Sequence, residues 1–143
     1  IGSGDAMLAA MALGAEGVQI GTLFALSAES SASEAFKQRC LALDEGGTML
    51  CLKKLSPTRL VRNGLFDKVA EAEARGANAE ELRDILGKAA SKRGIFEGDT
   101  EQGELEIGQI ASSVDAIRPA GEIVRQLVEN FRKAQKDVAA IGF

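Results

Sequence analysis

The run Gly17-Val18-Gln19-Ile20-Gly21-Thr22-Leu23-Phe24 constrains the fold most. It is short, apolar and β-prone, and it lies between two helix-forming segments, so it reads as a buried parallel strand. Upstream, Ser3 or Asp5 can cap a helix through Leu13, with Met7, Leu8, Met11 and Ala12 as its apolar face. Gly14 suits the left-handed residue that ends such a helix. Downstream, Ser27 to Ser33 is a connector of small residues rich in capping candidates. A helix over about Ser33 to Leu43 then places Phe36, Cys40 and Leu43 on one side. Helix, glycine turn, buried strand, loop and helix make the rhythm of a parallel α/β fold.

That rhythm breaks after Asp44-Glu45-Gly46-Gly47. Thr48 to Leu52 is suited to one more strand, and Pro57 favours extended backbone over Leu55 to Asn63. Helices are then expected over Phe66 to Arg75, closed by Gly76, and from an Asn78 cap to about Ala90. Gly94 to Gly103 reads as an acidic loop, and Ile107, Ile110, Ala111 and Val114 suggest a helix over Glu104 to Val114. Pro119 opens a last long helix whose stripe Ile123, Val124, Leu127, Val128, Phe131, Ala134 and Val138 is wider than this chain alone can cover.

Composition excludes several classes. With 17 basic against 21 acidic residues the net charge is −4, and scattered Lys and Arg do not make a nucleic-acid surface. No apolar run reaches the roughly 18 residues needed to cross a bilayer, and no signal-peptide pattern opens the chain, so a cytoplasmic location is expected. Cys40 and Cys51 belong to no metal-ligand array and read as free buried thiols, with no metal site expected. There is no histidine, hence neither the commonest general base nor the commonest zinc ligand.

Two places have the chemistry of an anion site. At Gly2-Ser3-Gly4-Asp5, backbone N–H groups at a helix start are made approachable by glycine, although such a segment also serves as a plain connection. At the end of the first strand, Gly21 would admit a phosphate close to the backbone and Thr22 would add a hydroxyl donor. Gln19, if buried in that apolar strand, needs a hydrogen-bond partner. A Gly-Thr turn with Gln19 bonded to neighbouring backbone accounts for the same residues equally well.

Residues Gly2 to Phe24, centred on Ala9-Ala10-Met11-Ala12-Leu13-Gly14-Ala15-Glu16-Gly17-Val18-Gln19-Ile20-Gly21-Thr22-Leu23-Phe24, resemble the penultimate helix and last strand of the nitronate monooxygenases. They also resemble the related flavin-dependent enoyl-acyl carrier protein reductases. The likeness continues in order through Glu29-Ser30, Phe36-Lys37-Gln38, Thr48-Met49-Leu50, Val61-Arg62-Asn63 and Gly94-Ile95-Phe96-Glu97-Gly98-Asp99. It then runs through Gly103-Glu104-Leu105-Glu106-Ile107-Gly108-Gln109-Ile110 and Pro119-Ala120-Gly121-Glu122-Ile123-Val124, and so covers nearly the whole chain.

The resemblance implies an α/β fold that is the C-terminal portion of a (β/α)8 TIM barrel with a small α-rich second domain. Residues 1–45 would be the last barrel elements, 46–118 the small domain, and 119–143 a helix packing back on the barrel. It implies FMN as cofactor, held by Gln19, Ile20, Gly21 and Thr22; Gln109 is read first as a helix-surface or interdomain hydrogen-bonding residue and second as a residue of the substrate cavity. Arg62 and Asn63 would fix the turn into the small domain. Ile1 would be the end of the family's Gly-Gly-Ile loop, and the family's active-site histidine would lie upstream, so this chain is expected to be a fragment that does not turn over alone. The implied activity is oxidation of alkyl nitronates with oxygen. The alternatives are an enoyl-acyl carrier protein reductase using NAD(P)H, or a non-catalytic fragment or helical interaction module. An inosine monophosphate dehydrogenase type shares the look of Gly21-Thr22 but not the helical tail. Uncovered strand edges and apolar helix faces also lead us to expect self-association.

Overall fold

Ser3, in extended backbone, accepts a hydrogen bond from the Ala6 N–H through its hydroxyl at 3.1 Å and so starts the first helix of the computed structural model, which describes residues 1–142. The chain divides into two compact units, one comprising residues 1–30 and 116–143 and the other Ser31–Asp115.

The first unit is helical. Helix α1 (Gly4–Ala12) ends as the sequence suggests, with Gly14 at φ +99°, a conformation that a Cβ would strain. Its expected apolar face is only partly used: Met7 and Leu8 are half-buried, whereas Met11 and Ala12 are exposed. The buried residue is Gly4. There α1 meets the long helix α6 (Ala120–Ala139) so closely that a Cβ on Gly4 would stand 2.2 Å from the Phe131 nitrogen. Helix α6 buries Ile123, Leu127 and Ala134 but leaves Val124 and Val138 exposed, as the width of its stripe suggests. Its N-terminus, behind Pro119, is capped from a distance in sequence: the Glu29 carboxylate accepts from the Ala120 N–H at 2.9 Å, and Ala28 N–H donates to Arg118 C=O at 3.0 Å.

The strand expected over Gly17 to Phe24 does not form. Residues 17–21 have no regular structure, and Thr22–Ala25 is a single helical turn, α2. A strand exists only through a neighbour's N–H and C=O groups, and no described strand pairs with this run.

The second unit holds a β-hairpin and three helices. Helix α3 (Glu34–Leu41) is capped by Ser33 and turns Phe36, Cys40 and the following Leu43 inward. Strand β1 (Thr48–Cys51) pairs antiparallel with β2 (Thr58–Val61), Thr48 opposite Val61 and Cys51 opposite Thr58. Helix α4 (Gly64–Ala74) and helix α5 (Ala79–Leu86) pack over this hairpin. Cys51, Leu52, Leu60, Phe66, Val69 and Leu82 form the centre of the core. Asn78 and Glu81 form the reciprocal cap that starts α5.

Three further expectations fail here. The helix from Asn78 stops at Leu86 rather than Ala90, because Gly87 turns the chain at φ +67° and Arg93 hydrogen-bonds the released Leu86 carbonyl. A wide π-helical turn, Lys92–Phe96, follows where a loop is expected. The helix expected over Glu104 to Val114 is instead an extended segment against β2, with Val61 N–H donating to Leu105 C=O at 2.9 Å, and then a 3-10 turn at Gln109–Ser113. Glu104-Leu105-Glu106-Ile107 alternates polar and apolar, and Leu105 and Ile107 are buried while Glu106 is exposed. That period of two overrides the weaker helical spacing of Ile107, Ile110, Ala111 and Val114.

Candidate functional site

Gln19, Ile20, Gly21 and Thr22 lie together in the first unit, on the open segment that leads into α2. Gly21 is the residue before the helix; its carbonyl accepts from Phe24 N–H at 3.1 Å and Ala25 N–H at 2.9 Å. The N–H groups of Thr22 and Leu23, at the start of the turn, have no helical acceptor. A Cβ placed on Gly21 would meet nothing within 4 Å. Thr22 is buried, Ile20 half-buried and Gln19 exposed. The argument that a buried Gln19 needs a partner therefore does not apply. What remains is an exposed Gln19 and Gly21 beside a buried Thr22, a short run of backbone and side-chain donors able to hold an anionic group.

The other glycine segment is a packing device. Gly4 is filled on its Cα side by Asn130 and Phe131, so its lack of a side chain is explained by the α1–α6 crossing rather than by an anion. Next to that crossing an apolar groove of about 470 Å³ runs along α1 and α6, lined chiefly by Leu8, Ala9, Ala12, Ala134 and Val138.

Gln109 belongs to the second unit, where it starts the 3-10 turn and is exposed. Asn63, in the same unit, is fully engaged structurally. Its Oδ1 accepts from Phe66 N–H at 2.9 Å, capping α4, while its Nδ2 donates to the carbonyls of Thr100 at 3.0 Å and Gly103 at 2.9 Å. Asn63 thus ties the start of α4 to the Thr100–Gly103 loop. Arg62 sets its guanidinium 5.9 Å from the centre of the Phe66 ring. Arg39, which sequence reasoning did not single out, donates to the Arg62 carbonyl at 2.9 Å. Both arginines line a polar pocket of about 370 Å³. Nothing in the spacing of positions 39 and 62 signals this meeting, which depends on the β1–β2 hairpin.

Neither cysteine offers a nucleophile. Both are free and buried; burial pushes the Cys40 thiol up to about 12 against the opposing pull of Arg39, and burial with the Glu73 and Glu104 charges pushes Cys51 up to about 11. Among the described residues no cluster of acidic or sulfur ligands could hold a metal ion, and no helix is long and apolar enough to cross a membrane.

A family model described as nitronate monooxygenase matches residues 1–130. The chain is 28% identical over 155 residues to a nitronate monooxygenase of Neurospora crassa, covering 99% of this chain and 39% of that protein. It is 28% identical over 162 residues to the (3aS,4S,5R,7aS)-5-hydroxy-7a-methyl-1-oxo-octahydro-1H-indene-4-carboxyl-CoA dehydrogenase of Mycobacterium tuberculosis, covering 87% of this chain and 46% of that one. FabK from Thermotoga maritima matches in structure with a TM-score of 0.88 and 31% identity, over 97% of this chain and 44% of the other. A nitroalkane oxidase from Streptomyces ansochromogenes matches with a TM-score of 0.72 and 28% identity, over 96% and 39%. The chain spans less than half the length of these relatives.

Proposed function

Because the chain belongs to the nitronate monooxygenase family, we propose that it forms part of an FMN-dependent oxidoreductase that oxidises alkyl nitronates with oxygen. The observation that carries this reading is the Gln19–Thr22 segment. Its exposed Gly21, the open space beside that glycine and the N–H groups at the start of α2, which have no acceptor among the described residues, suit a phosphate. Gly21 admits the phosphate close to the main chain, Thr22 adds its hydroxyl, and Gln19 offers an amide at the edge of the segment. The chemistry that a bound flavin supplies is acceptance of an electron pair from the substrate; these residues orient it and hold its charge. Gln109, on its 3-10 turn, is our candidate for the wall of the substrate cavity. The chain has no histidine, so a histidine acting on the substrate is not among its residues.

The likeness to FabK at a TM-score of 0.88 supports a second reading, a flavin-dependent enoyl-acyl carrier protein reductase that takes hydride from NAD(P)H. Two assays on the flavin-loaded full-length enzyme of which this chain would form part separate them, since the chain by itself is not expected to turn over. The first reading expects oxygen uptake that depends on an alkyl nitronate, with slow bleaching of the flavin by NADPH or NADH. Rapid bleaching by a nicotinamide with no nitronate turnover replaces it by the second, and a loaded protein inert in both assays removes both.

A further inference from the structure

We propose that Arg39 and Arg62 form a second anion site, distinct from Gln19–Thr22, that binds a small phosphate ester carrying a hydroxyl close to its phosphate. The pocket of about 370 Å³ in the second unit is lined by Arg39, Ala42, Leu43, Asp44, Gly46, Gly47 and Arg62. The hairpin builds it: Arg62 N–H donates to Gly47 C=O at 3.2 Å just beyond the Thr48–Val61 pair, and Arg39 reaches the Arg62 carbonyl from α3. Neither guanidinium has a carboxylate partner among the described residues. The hydrogen bond of Arg39 goes to a carbonyl, and Arg62 rests over the Phe66 ring, in a chain whose 21 acidic residues outnumber its 17 basic ones. Two arginines line this one pocket, and planar guanidinium groups match phosphate oxygens better than other cations do.

The local charge and size narrow the ligand. Two arginines against Asp44 leave one net positive charge on the pocket wall, which favours a phosphate dianion over a monocarboxylate. Asp44 can accept from a hydroxyl on the same ligand, and the volume suits a phosphate with a short sugar-like body. Gly46 leaves its side of the pocket open, the nearest atom to an added Cβ being Asp44 Oδ1 at 3.6 Å. The site shares no residue with the flavin reading, so either can fail without the other.

The test is a ¹⁵N–¹H NMR titration of the protein with inorganic phosphate, ribose 5-phosphate and acetate. Expected are saturable shifts at the Gly46 and Gly47 amides, with ribose 5-phosphate binding tighter than phosphate and acetate weakest. Arg39→Gln and Arg62→Gln each weaken binding about five- to tenfold. Asp44→Asn strengthens binding of phosphate and abolishes the preference for ribose 5-phosphate. The spectrum itself reports whether each variant folds, and among the described residues the Arg62 side chain makes no hydrogen bond whose loss would unfold the unit. Shifts that never saturate, affinities unchanged in Arg62→Gln, or acetate binding as tightly as phosphate would each overturn the proposal.

Discussion

Replacing Gly4 by alanine sets two effects of opposite sign against each other. Alanine is the better helix former by about 1 kcal/mol in a helix interior, and by less at the first helical position that Gly4 occupies. Against this, the new methyl would stand 2.2 Å from the Phe131 nitrogen, 2.6 Å from the Asn130 carbonyl carbon and 2.8 Å from the Asn130 Cβ. The first two are backbone atoms that no rotamer change can move. Restoring ordinary van der Waals contact requires the helices to part locally by about 1 Å. Overpacking of this kind costs about 1–3 kcal/mol and sometimes more, and the backbone contact puts Gly4 at the upper end. A net loss of about 2 kcal/mol follows, or about 8 °C in Tm for a chain of this size. Thermal unfolding followed by circular dichroism measures it, with Gly121→Ala as control. Gly121 is in the first turn of α6, where the nearest atom to an added Cβ is Arg125 Nη1 at 3.7 Å, so alanine there is neutral or stabilising. A Gly4→Ala protein as stable as the parent would refute the close α1–α6 crossing.

Asn63→Ala removes the α4 cap and two bonds to loop carbonyls, and should cost about 3 kcal/mol in urea unfolding. Asn63→Asp, which keeps the cap but cannot donate, should lose only part of that; equal losses would mean the loop bonds contribute nothing. In the native state both thiols hold their protons more tightly than in the unfolded chain, whose thiols titrate near 9.0. Between that value and the raised native values the unfolded state binds fewer protons, so stability is fully present below about pH 9 and falls as pH rises through 9 to 11. Denaturant midpoints that stay flat over that range in the parent would count against it, as would rapid labelling of both thiols at pH 8 without denaturant. Exposed Leu13, Val124, Val138 and Ile141 predict self-association of the first unit's surface, and light scattering that shows a monomer at about 100 μM would contradict this.

Much of the helical framework is legible because its signals are local. Ser3, Ser33, Asn63 and Asn78 each accept from an N–H two or three residues ahead, and Gly14 and Gly76 stand where the helices end. The misses concern partners. Gly17 to Phe24 carries strand chemistry but finds no described strand to bond, and the Glu104 to Ile107 alternation acquires meaning only once β2 is there to receive Leu105. The site divides in the same way. Gln19–Thr22 is contiguous and can be proposed from residues and family likeness, whereas Arg39 and Arg62 meet only because the intervening hairpin folds back.

The proposal that Gln19–Thr22 holds the phosphate of FMN is tested by comparing FMN with riboflavin, because the two differ only in that phosphate. In titrations followed by flavin fluorescence, FMN should bind more tightly than riboflavin. Gly21→Glu, which places a carboxylate in the open space beside the segment, should weaken FMN to the level of riboflavin while leaving riboflavin unchanged. Equal affinities for the two flavins in the parent, or an FMN preference that survives Gly21→Glu, would contradict the claim.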